Sequence, residues 1–315
     1  MDKRKLGNTG FDVAPLAFGG NVFGWTADEP TSFRLLDAFV GAGFNLIDTA
    51  DSYSRWAPGH SGGESEAIIG RWIAKRGRHD DVVIATKVGS DMGLGYKCLR
   101  ADYIMKAVED SLRRLNVDSI DLYQSHWDDD KTTFEETLEA YSRLIKQGKV
   151  KAIGASNLTA ERLTQALAAS KAHGYPHYQT LQPHYNLYER ASFEGPLEEL
   201  CVRERIGVIT YFSLAAGFLT GKYRTEADFA KSPRGAGMQK FLNPRGLRIL
   251  GALDVVAKRS SATLAQVALA WLMHRPSVTA PIASATSVAQ LEELMVAARL
   301  RLDADAIREL NGASA

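Results

Sequence analysis

Short β-branched runs alternate with longer amphipathic segments along the chain, and this alternation restricts the fold more than any other feature. The strand-sized runs are Leu16–Phe18, Asn45–Asp48, Val82–Lys87, Ile120–Ser125, Ala152–Ala155, Thr180–Gln182, Val208–Tyr211 and Thr279–Ile282. The helical patterns are Ser32–Val40, Glu66–Ala74, Tyr103–Leu115, Glu135–Lys146, Ala160–Ser170, Leu197–Arg205, Leu264–His274 and Ala289–Ala297. Within Tyr103–Leu115, the residues Ile104, Val108, Leu112 and Leu115 recur at helical spacing and form one apolar stripe. Thr132, Thr159 and Ser287 stand where helix N-caps are expected. Eight strands alternating with eight helices predict one α/β domain over residues 1–315, a (β/α)8 barrel of the TIM type. A doubly wound sheet is disfavoured, because no G-x-G-x-x-G follows the first strand with an acidic residue about 20 positions on. Gly7-Asn8-Thr9-Gly10, within Lys5–Val13, reads as an N-terminal β-hairpin closing the barrel bottom, and Asp303–Asn311 as an extra C-terminal helix. The stretch Lys222–Gly246 mixes Gly, Pro, Lys and Arg and reads as a long functional loop.

Charge and composition narrow the partners. Lys and Arg total 38 against 37 Asp and Glu in 315 residues, a net charge of +1, which supplies no long-range attraction for nucleic acid or an anionic membrane. No apolar region follows the charged start Met1-Asp2-Lys3-Arg4-Lys5, and no run approaches the roughly 20 residues that span a bilayer. Cys98 and Cys201 do not amount to a disulfide framework. The expected location is therefore cytoplasmic, with both thiols reduced. No interface signature specifies an oligomeric state.

A barrel places reactive groups at the C-terminal ends of its strands. Asp48 ends the second strand and Tyr53 follows it; Lys87 ends the third, inside the apolar run Val-Ile-Ala-Thr-Lys. His126 follows the fourth strand, Ser156 and Asn157 the fifth, Gln182 ends the sixth and Tyr211 the seventh. Taken singly, a strand-end Asp is usually structural and a loop Tyr an ordinary aromatic. Lys87 resists that reading, because burying an unpaired ammonium costs on the order of several kcal/mol. Asp48 is its natural partner. A Tyr, whose hydroxyl has an ordinary pKa of about 10, donates protons poorly near neutrality, and an adjacent lysinium lowers that value. His126 would then hydrogen-bond a carbonyl oxygen. None of these groups can deliver hydride, so a cofactor must.

These residues resemble the aldo-keto reductase family. Asp-Thr-Ala-Asp-Ser-Tyr (48–53), Ala-Thr-Lys (85–87) and Gln-Ser-His (124–126) are similar to its catalytic segments. Gly-Ala-Ser-Asn (154–157), Gln-Pro-His-Tyr-Asn (182–186) and Leu-Ala-Ala-Gly-Phe-Leu-Thr-Gly-Lys-Tyr (214–223) are similar to its cofactor segments, and the likeness runs from Leu6 to about Leu310. The resemblance implies a barrel that binds NADP(H), with NAD(H) as the second choice, and reduces an aldehyde or ketone or oxidises an alcohol. It implies Tyr53, Lys87, Asp48 and His126 as catalytic residues. Ser156, Asn157 and Gln182 would hold the nicotinamide carboxamide, and Tyr211 would stack on the ring. Ser213, Leu214, Ala216, Gly217, Leu219, Lys222 and Arg234 would wrap the pyrophosphate. Ser284, Thr286, Gln290 and Glu293 would surround the adenosine end, and Gly20 and Asn21 would line the same cleft.

The chain departs from the family pattern in two places. Phe212 replaces a frequent Ser and Ser213 a frequent Pro after Tyr211, while Ser284 and Gln290 stand where many members carry a Lys and an Arg for the 2′-phosphate. Trp25, Trp56, Trp127 and Asp128 are candidate substrate walls. With no long segment after the last helix, an open site accepting a range of carbonyls is expected. The resemblance also leaves a non-catalytic alternative, an NADP(H)-binding accessory subunit of the kind found on potassium channels, which tends to lack the active-site His. A Schiff-base enzyme using Lys87 would leave Tyr53, Tyr211 and Gln182 without a role. His173 and His177, the H-x-x-x-H pair, enclose Gly174 and Pro176 and do not suit a helical zinc site.

Overall fold

The computed structural model describes residues 2–232 and 235–315. Arg234, expected among the pyrophosphate contacts, lies outside the described residues. Two short antiparallel strands come first, β1 (Arg4–Lys5) and β2 (Asp12–Val13). The eight that follow are β3 (Ala17–Gly19), β4 (Leu46–Asp48), β5 (Val83–Val88), β6 (Ile120–Ser125), β7 (Val150–Ser156), β8 (Thr180–Gln182), β9 (Gly207–Thr210) and β10 (Val278–Ala283). All eight pair in parallel, and β10 closes on β3, so the sheet has no free edge. The α/β barrel, the N-terminal hairpin and the extra C-terminal helix are therefore as expected.

The period of two in a strand separates two apolar sets. Leu46, Val83, Ala85, Leu122, Ala152, Ile209, Ala280 and Ile282 fill the barrel interior, and Leu6 and Val13 of the hairpin plug its lower end. Their neighbours Ile47, Ile84, Tyr123, Ile153, Leu181 and Val208 face the surrounding helices. The same alternation carries Asp48, Lys87, Gln124 and Gln182 inward at the top of the interior. The register staggers them around the mouth: Asp48 lies opposite Ala85, Lys87 opposite Gln124, and Ser156 opposite Gln182.

The helices are α1 (Glu29–Gly41), α2 (Glu64–Arg76), α3 (Ala101–Leu115), α4 (Phe134–Lys146), α5 (Ala160–His173), α6 (Pro196–Arg203), α7 (Pro244–Arg259), α8 (Leu264–His274), α9 (Val288–Val296) and α10 (Ala304–Ser314). Thr159 and Ser287 cap α5 and α9 as expected. The cap of α4 is Thr133, whereas the Thr132 hydroxyl is bound to Asp129 at 2.7 Å. The sequence reading passed over α7. Asn243 caps it and Pro244 occupies its first turn, both ordinary start signals, and Ile249, Leu250, Leu253 and Val256 form its buried face. Gly246 and Gly251 dilute the helical signal there. The stretch taken as irregular loop is shorter than expected, because it also holds 3-10 turns at Glu226–Lys231 and Gly235–Phe241.

Candidate active site

Backbone pairing continues past the strand ends and holds the loops that carry the reactive groups. Beyond β4, Thr49 N donates to Ala85 O (2.8 Å) and Asp51 N to Lys87 O (3.3 Å). A turn from Ala50 O to Tyr53 N then brings the phenol back over the strand end, and the Ser54 hydroxyl ties the loop to Phe23 O at 2.6 Å. His126 N donates to Val88 O at 2.8 Å, which seats His126 beside β5.

Asp48, Tyr53, Lys87 and His126, four residues from three segments, converge. Lys87 Nζ donates to Asp48 Oδ2 (2.7 Å), Thr49 O (2.8 Å) and the Tyr53 hydroxyl oxygen (2.9 Å). All three protons of the buried ammonium are thus used. Tyr53 OH donates to Asp48 Oδ2 at 3.0 Å, and Gln182 Nε2 to Asp48 Oδ1 at 2.8 Å. The ring of His126 lies 6.0 Å from that of Tyr53, and its Nδ1 is 2.9 Å from Ser90 Oγ. Burial lowers the Lys87 pKa, against the opposing pull of Asp48. Burial and the Lys87 and Lys97 charges hold His126 well below its ordinary value, so the ring is neutral at pH 7.

Tyr53 departs from expectation in direction. Its pKa is raised well above 10, first by burial, then by the Asp48 charge and the hydrogen bond to Asp48. The phenol oxygen touches both members of an ion pair, so the lysinium field is largely cancelled by its own counter-ion. The hydroxyl is held as a protonated donor rather than eased toward phenolate.

Next to this group, Tyr211 OH donates to Asn157 Oδ1 (2.8 Å), while Asn157 Nδ2 donates to His126 O (2.9 Å) and Ser156 Oγ (3.0 Å). Ser156 Oγ donates to Gln182 O at 2.7 Å. Tyr211 is stacked on His184, with ring centroids 5.1 Å apart and planes 18° apart. Beyond Tyr211, Phe212, Ala215 and Ala216 take positive φ (50°, 48° and 56°), followed by Gly217 at 104°. Such a conformation costs on the order of 1 kcal/mol per non-glycine residue and clusters at functional sites. Within this turn Ala215 N donates to Phe212 O (2.7 Å) and Gly217 N to Leu214 O (2.9 Å). Lys222 places its ammonium beside Gly217, under 4 Å from where a Cβ would stand. On the opposite rim, Ser284 Oγ donates to Asn21 Oδ1 (2.7 Å), and a Cβ on Gly19 would come within 2.5 Å of Ser284 Oγ. Gln290 Oε1 accepts from the Thr286 amide and hydroxyl, both at 3.0 Å, at the start of α9. The Glu293 side chain is exposed, and its carbonyl accepts from Gln266 Nε2.

Three tryptophans cluster at the Tyr53 end. Trp56 lies between Tyr53 (6.1 Å) and Trp25 (5.7 Å), and Trp127 stacks on His126 (5.8 Å, 14°). Half of Trp56 is exposed (51%), so an apolar surface is available beside the phenol. Asp128 is engaged differently: both its oxygens are bound by Arg162, at 2.7 and 2.9 Å. Ser52 and His184 lie inside the segments 48–53 and 182–186 but carry no role of their own in the sequence reading, and Ser90 lies in none of the motif segments; loop geometry ties all three to the site.

A carboxyl group lies directly behind the site. Asp51 is buried, its Oδ1 has no hydrogen-bond partner, and its pKa is raised to about 8 by burial and the nearby Glu66 charge. Between the ordinary carboxylate range and pH 8 the folded chain therefore holds a proton that the unfolded chain has released. Stability from this group falls as pH rises. Asp51→Asn mimics the protonated form, and its stability relative to wild type is expected to grow by roughly 1 kcal/mol per pH unit between pH 5 and 7.5. Urea midpoints across that range check it; a constant difference would contradict the assignment.

The model of the Aldo/keto reductase family matches residues 15–315. Among similar proteins, Aldo-keto reductase YhdN of Bacillus subtilis (strain 168) is 33% identical over 99% of this chain and 93% of its own length. Norsolorinic acid reductase of Aspergillus flavus is 30% identical over 97% of this chain and 79% of its own length. A probable voltage-gated potassium channel subunit beta of Arabidopsis thaliana is 32% identical over 94% and 91% respectively.

Proposed function

Because the chain belongs to the aldo/keto reductase family, we propose that it exchanges hydride between NADP(H) and a small carbonyl–alcohol pair, with Tyr53 as the proton donor. The observation that carries this reading is the Tyr53 hydroxyl within 3.0 Å of both Lys87 Nζ and Asp48 Oδ2, beside a neutral His126. When bound, the nicotinamide supplies the hydride that no side chain can. Tyr53 transfers its hydroxyl proton to the carbonyl oxygen, Lys87 stabilises the phenolate left behind, and Asp48 holds Lys87 charged and in place. His126 orients the carbonyl oxygen by a hydrogen bond. In alcohol oxidation the same groups run in reverse, the phenolate accepting the proton.

The residues present fit this cofactor. The Lys222 ammonium beside the tight turn at 215–217 suits a pyrophosphate. Ser213, Leu214 and Leu219 belong to the same turn; Ser156, Asn157 and Gln182 present amide and hydroxyl groups next to Tyr211. Gly20 and Asn21 form the facing rim. Ser284, Thr286 and Gln290 lie at the N-terminal end of α9, where backbone amides favour a phosphate, and this supports NADP(H) ahead of NAD(H). Trp25, Trp56, Trp127 and Asp128 would form the substrate walls, the tryptophans favouring aromatic or otherwise apolar carbonyls and Asp128 being held by Arg162. One domain over residues 1–315 carries the whole site. Among the described residues no helix is long and apolar enough to cross a membrane; a cytoplasmic enzyme is proposed on charge and cysteine usage.

The test is direct. The protein is mixed with NADPH, then NADH, while absorbance is followed on addition of an aromatic aldehyde or a dicarbonyl. Turnover is expected, faster with NADPH. Fluorescence quenching of the cofactor without turnover would favour the accessory-subunit reading, which the potassium-channel relative keeps in view. No response to either cofactor would refute both.

A further inference from the structure

Resting on the reduction proposed above, we infer that Ser90, with Ser52 behind it, is the positioning residue that sets the tautomer of His126. A neutral imidazole carries one proton, and it can orient a carbonyl oxygen only through the nitrogen that bears it. The opposite tautomer would turn a lone pair toward that oxygen.

The geometry selects between the two. Ser90 is buried and its Oγ lies 2.9 Å from His126 Nδ1. Ser52 Oγ donates to Ser90 Oγ at 3.2 Å and stands 3.5 Å from the same Nδ1. Ser90 accepts from Ser52, and among the described residues its single hydrogen has no acceptor other than Nδ1, so it is directed there. Nδ1 is then the acceptor, and Nε2 carries the proton offered to substrate. The three residues follow β4, β5 and β6, so the relay crosses three successive strand ends. The rest of the ring's surroundings leaves the assignment unchallenged. It is flanked by the Tyr53 and Trp127 rings, the charges acting on it are the Lys87 and Lys97 ammonium groups, and neither cation can accept a proton from Nδ1.

The assignment is read in the protein alone, labelled with ¹⁵N-histidine, with the His126 signals identified by their loss in His126→Gln. Wild type is expected to show Nε2 protonated and Nδ1 as a hydrogen-bonded acceptor. Ser90→Ala should move both shifts toward averaged tautomers and lower kcat about tenfold, with cofactor affinity within about twofold of wild type. Ser90→Thr, which keeps the hydroxyl, should restore the wild-type shifts. A wild-type spectrum with Nδ1 protonated, or unchanged shifts in Ser90→Ala, would overturn the inference. Because the spectrum needs no turnover, an Nε2–H signature in a protein that never oxidises NADPH would sink the proposed reduction and leave the tautomer assignment standing.

Discussion

Tyr53→Phe is expected to lower kcat for carbonyl reduction by about 10³-fold, within the range of a positioned general acid. The substitution removes the hydroxyl alone. Lys87 keeps its bonds to Asp48 Oδ2 and Thr49 O, and Asp48 Oδ1 keeps Gln182, so the surrounding framework is retained. Cofactor affinity, measured by fluorescence titration, should therefore stay within about twofold, since no contact proposed for the cofactor passes through Tyr53. Retention of more than a tenth of wild-type turnover would show that another group delivers the proton. His126 is poorly placed to do so, because burial and two lysines keep it neutral.

Lys87→Met should destabilise the fold by about 3–5 kcal/mol as well as abolish most activity, because it leaves the Asp48 carboxylate buried without a counter-charge. The pair is inside the barrel, with neither side chain exposed by more than 1%, so solvent cannot take over the role of the lysine. A double-mutant cycle separates the charge effect from packing. Lys87→Met with Asp48→Asn should recover much of the lost stability, since no unpaired charge remains. Urea denaturation of the three variants measures it. A Lys87→Met protein as stable as wild type would mean that the ion pair is energetically idle.

The parts of the site that the sequence announced are those where chemistry contradicts pattern. Lys87 stands at the end of an apolar strand, where an ammonium requires a partner, and Asp48 ends the preceding strand. Both turn inward by the strand period that also turns Val83 and Ala85 inward. Gln182 was foreseen at the mouth, but not as the donor that fixes Asp48 from the other side. Helix α7 was passed over because two glycines weaken its pattern, although its cap and first-turn proline are visible in the chain.

The alternation of strands with helices, being local and periodic, by itself pointed to the eight-stranded barrel and placed five of its C-terminal strand ends one residue away from those observed, Lys87 before Val88 and Tyr211 after Thr210 among them. Distances between side chains on different loops are another matter. That Ser52 and Ser90 line up on His126, that His184 stacks behind Tyr211, and that Asp51 sits buried beside Glu66 depend on how loops fold over the barrel mouth. The pKa of Tyr53 belongs to the same class. A lysine at the end of the neighbouring strand suggested a depressed value; the folded arrangement sets Asp48 against the same oxygen in a buried setting, and the direction reverses. Electrostatics depends on distances and solvent exclusion, and only the tertiary structure supplies them.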